Sequence, residues 1–196
     1  MRTTKKLILA SQSERRADLL KQIGIDFKII PSEFDENSIS KTHIEPKEYV
    51  QTLALKKAEF LSCQGMDETL ILSADTIVVI EGQILGKPIN KEQAYTYLKL
   101  LSGKTHEVYT GVCILDPKNS KKIVRYQCTT VLMDTMNEHD FDYYIGTKEP
   151  FDKAGAYGIQ GIGARYIKKI NGDYFNIVGL PINLTIHMLK EMNYIL

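Results

Sequence analysis

The segment that most constrains the fold is the run LILSADTIVVI, from Leu70 to Ile80. It is almost wholly apolar and rich in β-branched residues, which is typical of a central strand buried on both faces. Asp75 lies in the middle of this run, where a carboxylate is costly unless it is paired or binds a metal ion. Two interpretations are open. Asp75 accepts backbone hydrogen bonds, or it is a functional carboxylate that faces a cleft, with Thr76 beside it.

A strand followed directly by a helix is predicted between Leu7 and Gly24. The apolar residues Leu7 to Ala10 are typical of a short buried strand, and the apolar spacing after Ser13 is helical, with Gly24 as its end. Arg15 and Arg16 fall in the first helical turn. The backbone N–H groups at such a helix N-terminus attract anions, and one guanidinium group can donate to two phosphate oxygens at once. We therefore predict a phosphate-binding corner here.

The same residues allow a second interpretation of this helix start. Ser11 and Glu14 have the spacing of a capping box, in which Glu14 satisfies the helix end and leaves no place for a ligand. Two arginines at a helix N-terminus interact unfavourably with the positive end of the helix dipole. Their presence therefore favours the interpretation that an anion lies nearby. The segment alone leaves both interpretations open.

Clustered carboxylates lie on the polar loop from Ser32 to His43, namely Glu33, Asp35 and Glu36. They are either simply solvated or part of a Mg²⁺ site, since that ion is held by one or two carboxylates together with substrate phosphates. The next helix is predicted to begin at Pro46. Its apolar spacing places Lys57 near the edge of the buried face.

A loop with four glycines runs from Glu149 to Gly163 and contains Lys153 and Gln160. Glycine permits close approach of the backbone to another group. We predict a strand from Ala164 to Ile170 after this loop, and then a hairpin-type turn at residues 171–173. Lys87 lies between Gly86 and Pro88, where it is either a positioned cation or part of a plain turn.

Composition limits the function classes. The 196 residues are 43% hydrophobic and 25% charged, with a net charge of +1, so nothing in the overall charge favours nucleic acid or an anionic membrane. The three cysteines have no disulfide or zinc spacing, and no run is long and apolar enough for a membrane span. The histidines form no ligand or catalytic set. We expect a cytoplasmic protein that binds neither membrane nor nucleic acid.

The order of predicted elements indicates an α/β fold. Strands and helices alternate, and an antiparallel strand pair is predicted at residues 105–115 and 122–134. This pattern is typical of a mixed β-sheet with helices packed on it. No linker composition marks a boundary, so residues 1–196 are expected to form one domain.

Several motifs together resemble the Maf family over nearly the whole chain and in the family's order. They are LASQSERRADLLKQIG, the acidic FDE at Glu36, AxxKA at Ala54 to Ala58, SADTIVV, LGKP, LSGKTHEVYTGV, DKAGAYGIQG and NIVGLP. The resemblance implies a twisted mixed sheet flanked by helices, with two lobes around a central cleft, similar to the inosine triphosphatase-like enzymes. It implies a nucleoside triphosphate pyrophosphatase that needs Mg²⁺ or Mn²⁺ and is often a homodimer.

The resemblance also implies roles for individual residues. Asp75 matches the family's proton acceptor and Glu36 its second essential carboxylate, and both are expected to hold the metal ion. The positions that match the phosphate-contacting set are Ser11, Arg15, Arg16, Lys57, Lys87 and Lys153. The positions that match the branch acting on dTTP and UTP are Arg15, Thr76 and Gln160. Glu14 departs from the family, which usually has proline there.

Two other functions compete with the pyrophosphatase. The family has been linked with arrest of septum formation, so a non-enzymatic regulator that binds a division partner is one alternative. A phosphatase that uses the same carboxylates and releases orthophosphate is another. A binding protein has no need of Asp75 within an apolar strand, and the identity of the released product separates the two enzymes.

Overall fold

The computed structural model describes residues 5–194, and the predicted domain ends at residues 1–4 and 195–196 lie outside the described part. The strands are β1 Lys6–Leu9, β2 Lys28–Ile29, β3 Thr69–Ile80, β4 Gln83–Leu85, β5 Thr105–Asp116, β6 Lys121–Met133 and β7 Ile167–Asn171. The helices are α1 Glu14–Gln22, α2 Pro46–Ser62, α3 Lys91–Leu101, α4 Glu138–Gly146, α5 Tyr174–Val178 and α6 Ile182–Glu191. Short 3₁₀ segments are Glu36–Ser38, Glu149–Asp152, Ala154–Ala156 and Gly161–Tyr166.

The strands form a seven-stranded mixed sheet flanked by helices, in the order β2-β1-β3-β5-β6-β7, with β4 paired to β3. β1 is parallel to both β2 and β3, while β3–β4 and β6–β7 are antiparallel. The predicted central strand is confirmed, since all of β3 is buried except the half-buried Thr69 and Thr76. This confirms the predicted α/β class with a mixed sheet.

The chain divides into two compact units, and the first comprises residues 1–75, 110–127 and 179–196. Its core joins the apolar face of α2 to residues of β1, β3 and β5. Small residues let α2 lie close to these strands. A Cβ at Gly111 would stand 2.2 Å from the Val50 carbonyl oxygen, and the Ser73 hydroxyl donates to the Ala54 carbonyl at 2.5 Å.

The second unit comprises residues 76–109 and 128–178. Its core packs α3 and α4 against apolar residues of β3, β4, β5 and β6. Side-chain caps fix where both helices begin. Asn90 accepts from the Gln93 N–H before α3, and Asn137 and Asp140 form a reciprocal capping box at α4.

The predicted strand at residues 164–170 is confirmed from Ile167 onward, but its predicted start and the hairpin-type turn at residues 171–173 are wrong. A 3₁₀ segment occupies Gly161–Tyr166, and the strand begins only at Ile167. The N–H groups of Ile162 and Gly163 donate to the Glu149 carboxylate and not to a neighbouring strand. The turn after Asn171 leads into α5 and not into another strand. Its Asp173 carboxylate accepts from the Phe175 N–H and so starts that helix.

In the described part of the chain, no helix has both the length and the apolar character that a membrane span requires.

Candidate active site

Strand periodicity and one helix place Asp75. Side chains alternate along a strand, so Ile71, Ser73 and Asp75 share one face of β3. α2 covers this face, as the hydrogen bond from Ser73 to Ala54 shows. β3 also continues past its parallel neighbour, because the Ala10 N–H after β1 donates to the Leu72 carbonyl at 2.7 Å. Asp75 therefore lies three residues beyond that contact, in the part of the unit where α1 begins.

Lys57 joins the two predicted essential carboxylates. Its ammonium nitrogen lies 2.5 Å from Asp75 Oδ1 and 2.6 Å from Glu36 Oε1. The Lys57 and Asp75 side chains are each 10% exposed, whereas that of Glu36 is 51% exposed. The structure thus brings together three residues that are separate in sequence, and the ammonium contacts one oxygen of each carboxylate.

The prediction that Lys57 lies at the edge of the α2 face is wrong. Lys57 is buried among the apolar residues of that face, while its neighbour Lys56 is exposed and pairs with Glu59 at 2.9 Å. The reason is the ion pairing, since a buried ammonium is tolerated where carboxylates surround it.

A single 3₁₀ turn presents Glu36 to Lys57. The Asp35 carboxylate accepts from the Asn37 N–H at 3.0 Å and caps this turn. The acidic loop therefore contains carboxylates with different tasks. Asp35 stabilises the loop, and Glu36 contributes its charge to the site.

The start of α1 forms the other side of this charge cluster. Ser13 is the N-cap and Glu14 the first helical residue, so Ser11 and Glu14 do not form a capping box. The Ser11 hydroxyl instead accepts from the Ser13 N–H at 3.2 Å and from Arg16 Nη1 at 3.1 Å. Arg16 Nε also donates to the Gly179 carbonyl at 2.8 Å. These bonds hold the guanidinium plane in a fixed orientation.

The charges of Asp75 and Glu36 also act on neighbouring groups. Burial lowers the pKa of Arg16, and the charges of Asp75 and Glu36 oppose that shift. Tyr49, on the buried face of α2, has its pKa raised to about 12 by burial and by the same two carboxylates. Tyr49 is therefore a neutral hydroxyl group next to the carboxylates at physiological pH.

The remaining predicted residues lie on different elements. Arg15 is half-buried in the first turn of α1 of the first unit. Thr76 directly follows Asp75 in β3 and belongs to the second unit, as do Lys87, Lys153 and Gln160. Lys87 and Gln160 are exposed, whereas the Lys153 ammonium donates to the Glu149 carbonyl at 2.8 Å and to the Asp152 carboxylate at 2.6 Å.

Glycines of the 149–163 loop make close contacts within the second unit. A Cβ at Gly161 would stand 2.7 Å from the Glu149 carboxylate, and one at Gly163 would stand 2.4 Å from the Tyr144 hydroxyl. A Cβ at Gly158 would stand 2.6 Å from the Lys153 side chain. A Cβ at Gly155 would stand 2.9 Å from the Val78 side chain of β3. The close approach that the sequence predicted is therefore made to the loop itself, to α4 and to β3.

The donor chemistry fits a hard divalent cation. Two carboxylates converge on one point, and Mg²⁺ and Mn²⁺ prefer such oxygen ligands, with water and phosphate completing the shell. Among residues 5–194 no cluster of three or more His, Cys, Asp or Glu could hold a metal ion on its own. A cation here would thus depend on substrate oxygens as well as on Glu36 and Asp75.

Two contributors to the site were not predicted from the sequence. Tyr49 looked like an ordinary core residue, because its spacing matches the apolar face of α2. The Gly179 carbonyl carries no side-chain signal at all, and only its position in the NIVGLP motif pointed to the segment. Gly179 has φ +122°, in the region that favours glycine.

Comparison with known proteins identifies the family of this chain. The Maf-like protein family model matches residues 6–192. The dTTP/UTP pyrophosphatase of Clostridium novyi (strain NT) is 46% identical over 187 residues, which cover 95% of this chain and 97% of that protein. The dTTP/UTP pyrophosphatase of Caldicellulosiruptor bescii is 46% identical over 193 residues, covering 97% and 96%.

A solved structure supports the fold independently. The Ham1 protein of Staphylococcus aureus superposes with a TM-score of 0.52 at 14% identity, covering 96% of this chain and all of that one. At this identity the similarity concerns the fold, which is the inosine triphosphatase-like fold that the sequence motifs implied. Given the family match over residues 6–192 and relatives of nearly equal length, the chain belongs to the Maf family.

Proposed function

We propose that this protein is a nucleoside triphosphate pyrophosphatase that hydrolyses dTTP and UTP to the nucleoside monophosphate and pyrophosphate. The observation that carries the proposal is the convergence of Glu36 and Asp75 on Lys57, with the Arg16 guanidinium in the same cluster. Relatives that are 46% identical over nearly their whole length are named dTTP/UTP pyrophosphatases, which supports the same reaction and the same substrates.

The proposed chemistry is attack of one water molecule on the α-phosphorus. A bond forms between the water oxygen and the α-phosphorus, and the bond to the α–β bridging oxygen breaks. The electron pair of that bond leaves with pyrophosphate, and Asp75 accepts the proton of the water. Lys57 orients Asp75 through the 2.5 Å contact to Oδ1. No covalent enzyme intermediate is needed, since positioning and electrostatics dominate phosphoryl transfer.

Cationic groups would stabilise the charge that builds on the leaving pyrophosphate. Arg16 is held by Ser11 and Gly179, so it would need little reorganisation when the triphosphate binds. The N-terminus of α1 adds backbone N–H groups with the sign that phosphate requires. Arg15, Lys87 and Lys153 are proposed as further phosphate contacts.

Glu36 and Asp75 are the residues that would hold a divalent cation. When bound, Mg²⁺ or Mn²⁺ supplies Lewis acidity that polarises the phosphate oxygens and offsets their charge. Asp75 would share in holding the cation and would accept the proton of the attacking water. Lys57 keeps the two carboxylates near one another despite their mutual repulsion.

Arg15, Thr76 and Gln160 are proposed to select thymine and uracil nucleotides. They match the positions that distinguish this branch of the family, and relatives with the corresponding name support the assignment. Glu14 is the first residue of α1, where a carboxylate is favourable for the helix dipole. We therefore expect Glu14 to replace the usual proline without loss of the fold. We further propose that the enzyme is a cytoplasmic homodimer.

A nucleotide panel with Mg²⁺ and with Mn²⁺ tests the proposal, with pyrophosphate and orthophosphate quantified separately. Pyrophosphate and monophosphate produced fastest from dTTP and UTP are the expected result. Faster turnover of purine or modified nucleotides would overturn the assignment of Arg15, Thr76 and Gln160 but keep the reaction. Orthophosphate as the product indicates a phosphatase, and no turnover indicates a binding protein such as a division regulator.

A further inference from the structure

The Glu149 carboxylate is the centre of a hydrogen-bond network within the second unit. It accepts the Tyr144 hydroxyl at 2.9 Å, the Ile162 N–H at 2.9 Å and the Gly163 N–H at 3.1 Å. The Tyr144 hydroxyl accepts in turn from the Gly158 N–H at 3.2 Å. One carboxylate thus holds the far end of the glycine-rich loop against its own beginning and against α4.

The two predicted substrate residues of this loop are placed by that network. Gln160 lies between Gly158 and Ile162, whose N–H groups both donate to this network, to the Tyr144 hydroxyl and the Glu149 carboxylate respectively. Lys153 donates to the backbone carbonyl of Glu149, and its methylene groups pass beside Gly158, where there is no room for a Cβ. The position of each side chain therefore depends on where residue 149 holds the chain.

A second contact fixes the middle of the same loop. The hydroxyl of buried Tyr157 and Nε2 of buried His106 lie 2.6 Å apart. Tyr157 holds the chain from the side of β5, while Glu149 is the hydrogen-bond acceptor for residues 162 and 163. With the loop backbone fixed from two sides, the positions from which Lys153 and Gln160 extend are set before any substrate binds, which lowers the entropic cost of binding.

A carboxylate is required at this position and an amide cannot replace it. Both oxygens of Glu149 face N–H donors, so a glutamine would point its NH₂ group at a backbone N–H in either orientation. An amide there leaves a donor unsatisfied and pushes the loop away.

We propose that Glu149 is a positioning residue that fixes Lys153 and Gln160 for the nucleotide. This inference rests on the proposed function, because it assigns the ordered loop a role in binding a triphosphate. In this proposal Glu149 contacts no reacting atom and acts only through the loop that it holds. Its effect on catalysis therefore passes entirely through the two side chains that it holds.

A double-mutant cycle tests this claim on the full-length protein with dTTP and Mg²⁺. We expect Glu149→Gln to lower kcat/KM about 10- to 100-fold, mainly through KM, since small displacements of binding groups have effects of this size. In a Lys153→Ala/Gln160→Ala background the same substitution should change kcat/KM less than about twofold, because the residues it positions are gone. An equal loss in both backgrounds would show a general structural role and overturn the proposal.

Two further measurements separate positioning from unfolding. Amide hydrogen exchange over residues 158–163 should accelerate in Glu149→Gln, and unchanged exchange would overturn the anchoring itself. The matched control is Glu138→Gln, which removes another glutamate that accepts a tyrosine hydroxyl, that of Tyr95 at 2.6 Å, away from the loop. We expect wild-type kcat/KM for this control.

The outcomes also separate this inference from the proposed function. If the wild type hydrolyses dTTP and Glu149→Gln does so equally well, the proposed function stands and the positioning role is wrong. The same conclusion follows if the Lys153→Ala/Gln160→Ala variant retains wild-type kcat/KM. If the wild type turns over no triphosphate, the proposed function fails and this inference fails with it.

Discussion

Lys57 Nζ lies 2.5 Å from Asp75 Oδ1, and both side chains are only 10% exposed. The apolar strand β3 thus carries Asp75 and the apolar face of α2 carries Lys57, and the two charged groups are in contact in the core. Neither charge would be stable there alone, since an unpaired buried charge is strongly destabilising. The same ammonium reaches Glu36 at 2.6 Å. This pairing allows the core of the first unit to include a carboxylate that can do chemistry.

Asp75→Asn should abolish turnover while leaving the fold intact. The amide is a poor proton acceptor and metal ligand, so we expect kcat to fall by about 10²- to 10⁴-fold. Pyrophosphate release from dTTP measures the rate, and thermal melting reports the fold. Asp116→Asn is the matched control, because Asp116 is also a buried aspartate paired with a lysine, Lys5, in the same unit. Wild-type rates in Asp75→Asn would contradict the catalytic assignment.

Lys57→Met should reduce both stability and activity. It leaves Asp75 buried without its ammonium partner and lets two carboxylates repel each other, which we expect to cost roughly 3–5 kcal/mol of unfolding free energy. Lys56→Met, the adjacent and exposed lysine, should change stability by less than about 0.5 kcal/mol. Urea denaturation measures both variants at neutral pH. Equal stabilities of the two variants would show that the buried ion pair contributes nothing.

Arg16→Lys should weaken catalysis although the charge is kept. A lysine cannot donate to Ser11 Oγ and the Gly179 carbonyl together from one rigid plane, so the cation loses its fixed orientation. We expect kcat/KM for dTTP to fall by about tenfold or more. Arg125→Lys is the control, since Arg125 forms a two-point contact with Glu191 on the surface of the same unit. A fall of the same size in both variants would argue against a special role for Arg16.

The burial of His106 should make the free energy of unfolding fall as the pH is lowered. Burial lowers its pKa to about 4, so the folded protein holds the neutral ring and the unfolded chain binds the proton first. This contribution is complete above the unfolded pKa and is lost as pH falls. From about pH 7 to about pH 5 the loss amounts to about 2 kcal/mol.

Denaturation curves of the wild type and of His106→Gln, taken at both pH values, isolate this contribution. The variant should lose less stability on acidification than the wild type does. His139→Gln removes an exposed histidine of the same unit and should behave like the wild type. If acidification lowers the stability of His106→Gln and the wild type equally, His106 is not the titrating group.

Much of the fold followed from local patterns in the sequence. The run around Asp75 predicted β3, and Pro46 with the apolar spacing after it predicted α2. Residues 164–166 were predicted as strand but continue the 3₁₀ segment that begins at Gly161. The N–H groups of Ile162 and Gly163 at the start of that segment donate to the distant Glu149 carboxylate, which no local pattern reveals. Long-range hydrogen bonds decided the structure there.

Part of the candidate site, namely Glu36, Asp75 and the start of α1, was predictable from the sequence, but its arrangement was not. An isolated aspartate in an apolar strand was a clear signal, because burial demands a partner. Lys57 gave no comparable signal, since most helical lysines are solvated and its burial depends on Glu36 and Asp75 in distant segments. Tyr49 and the Gly179 carbonyl could be assigned only once the chain was folded.

The most direct test of the reaction is hydrolysis of dTTP in ¹⁸O-labelled water, with mass analysis of each product. The account predicts that the label enters the thymidine monophosphate and that the pyrophosphate is unlabelled, because the water attacks the α-phosphorus. Label in the pyrophosphate, or labelled orthophosphate as the product, would contradict it.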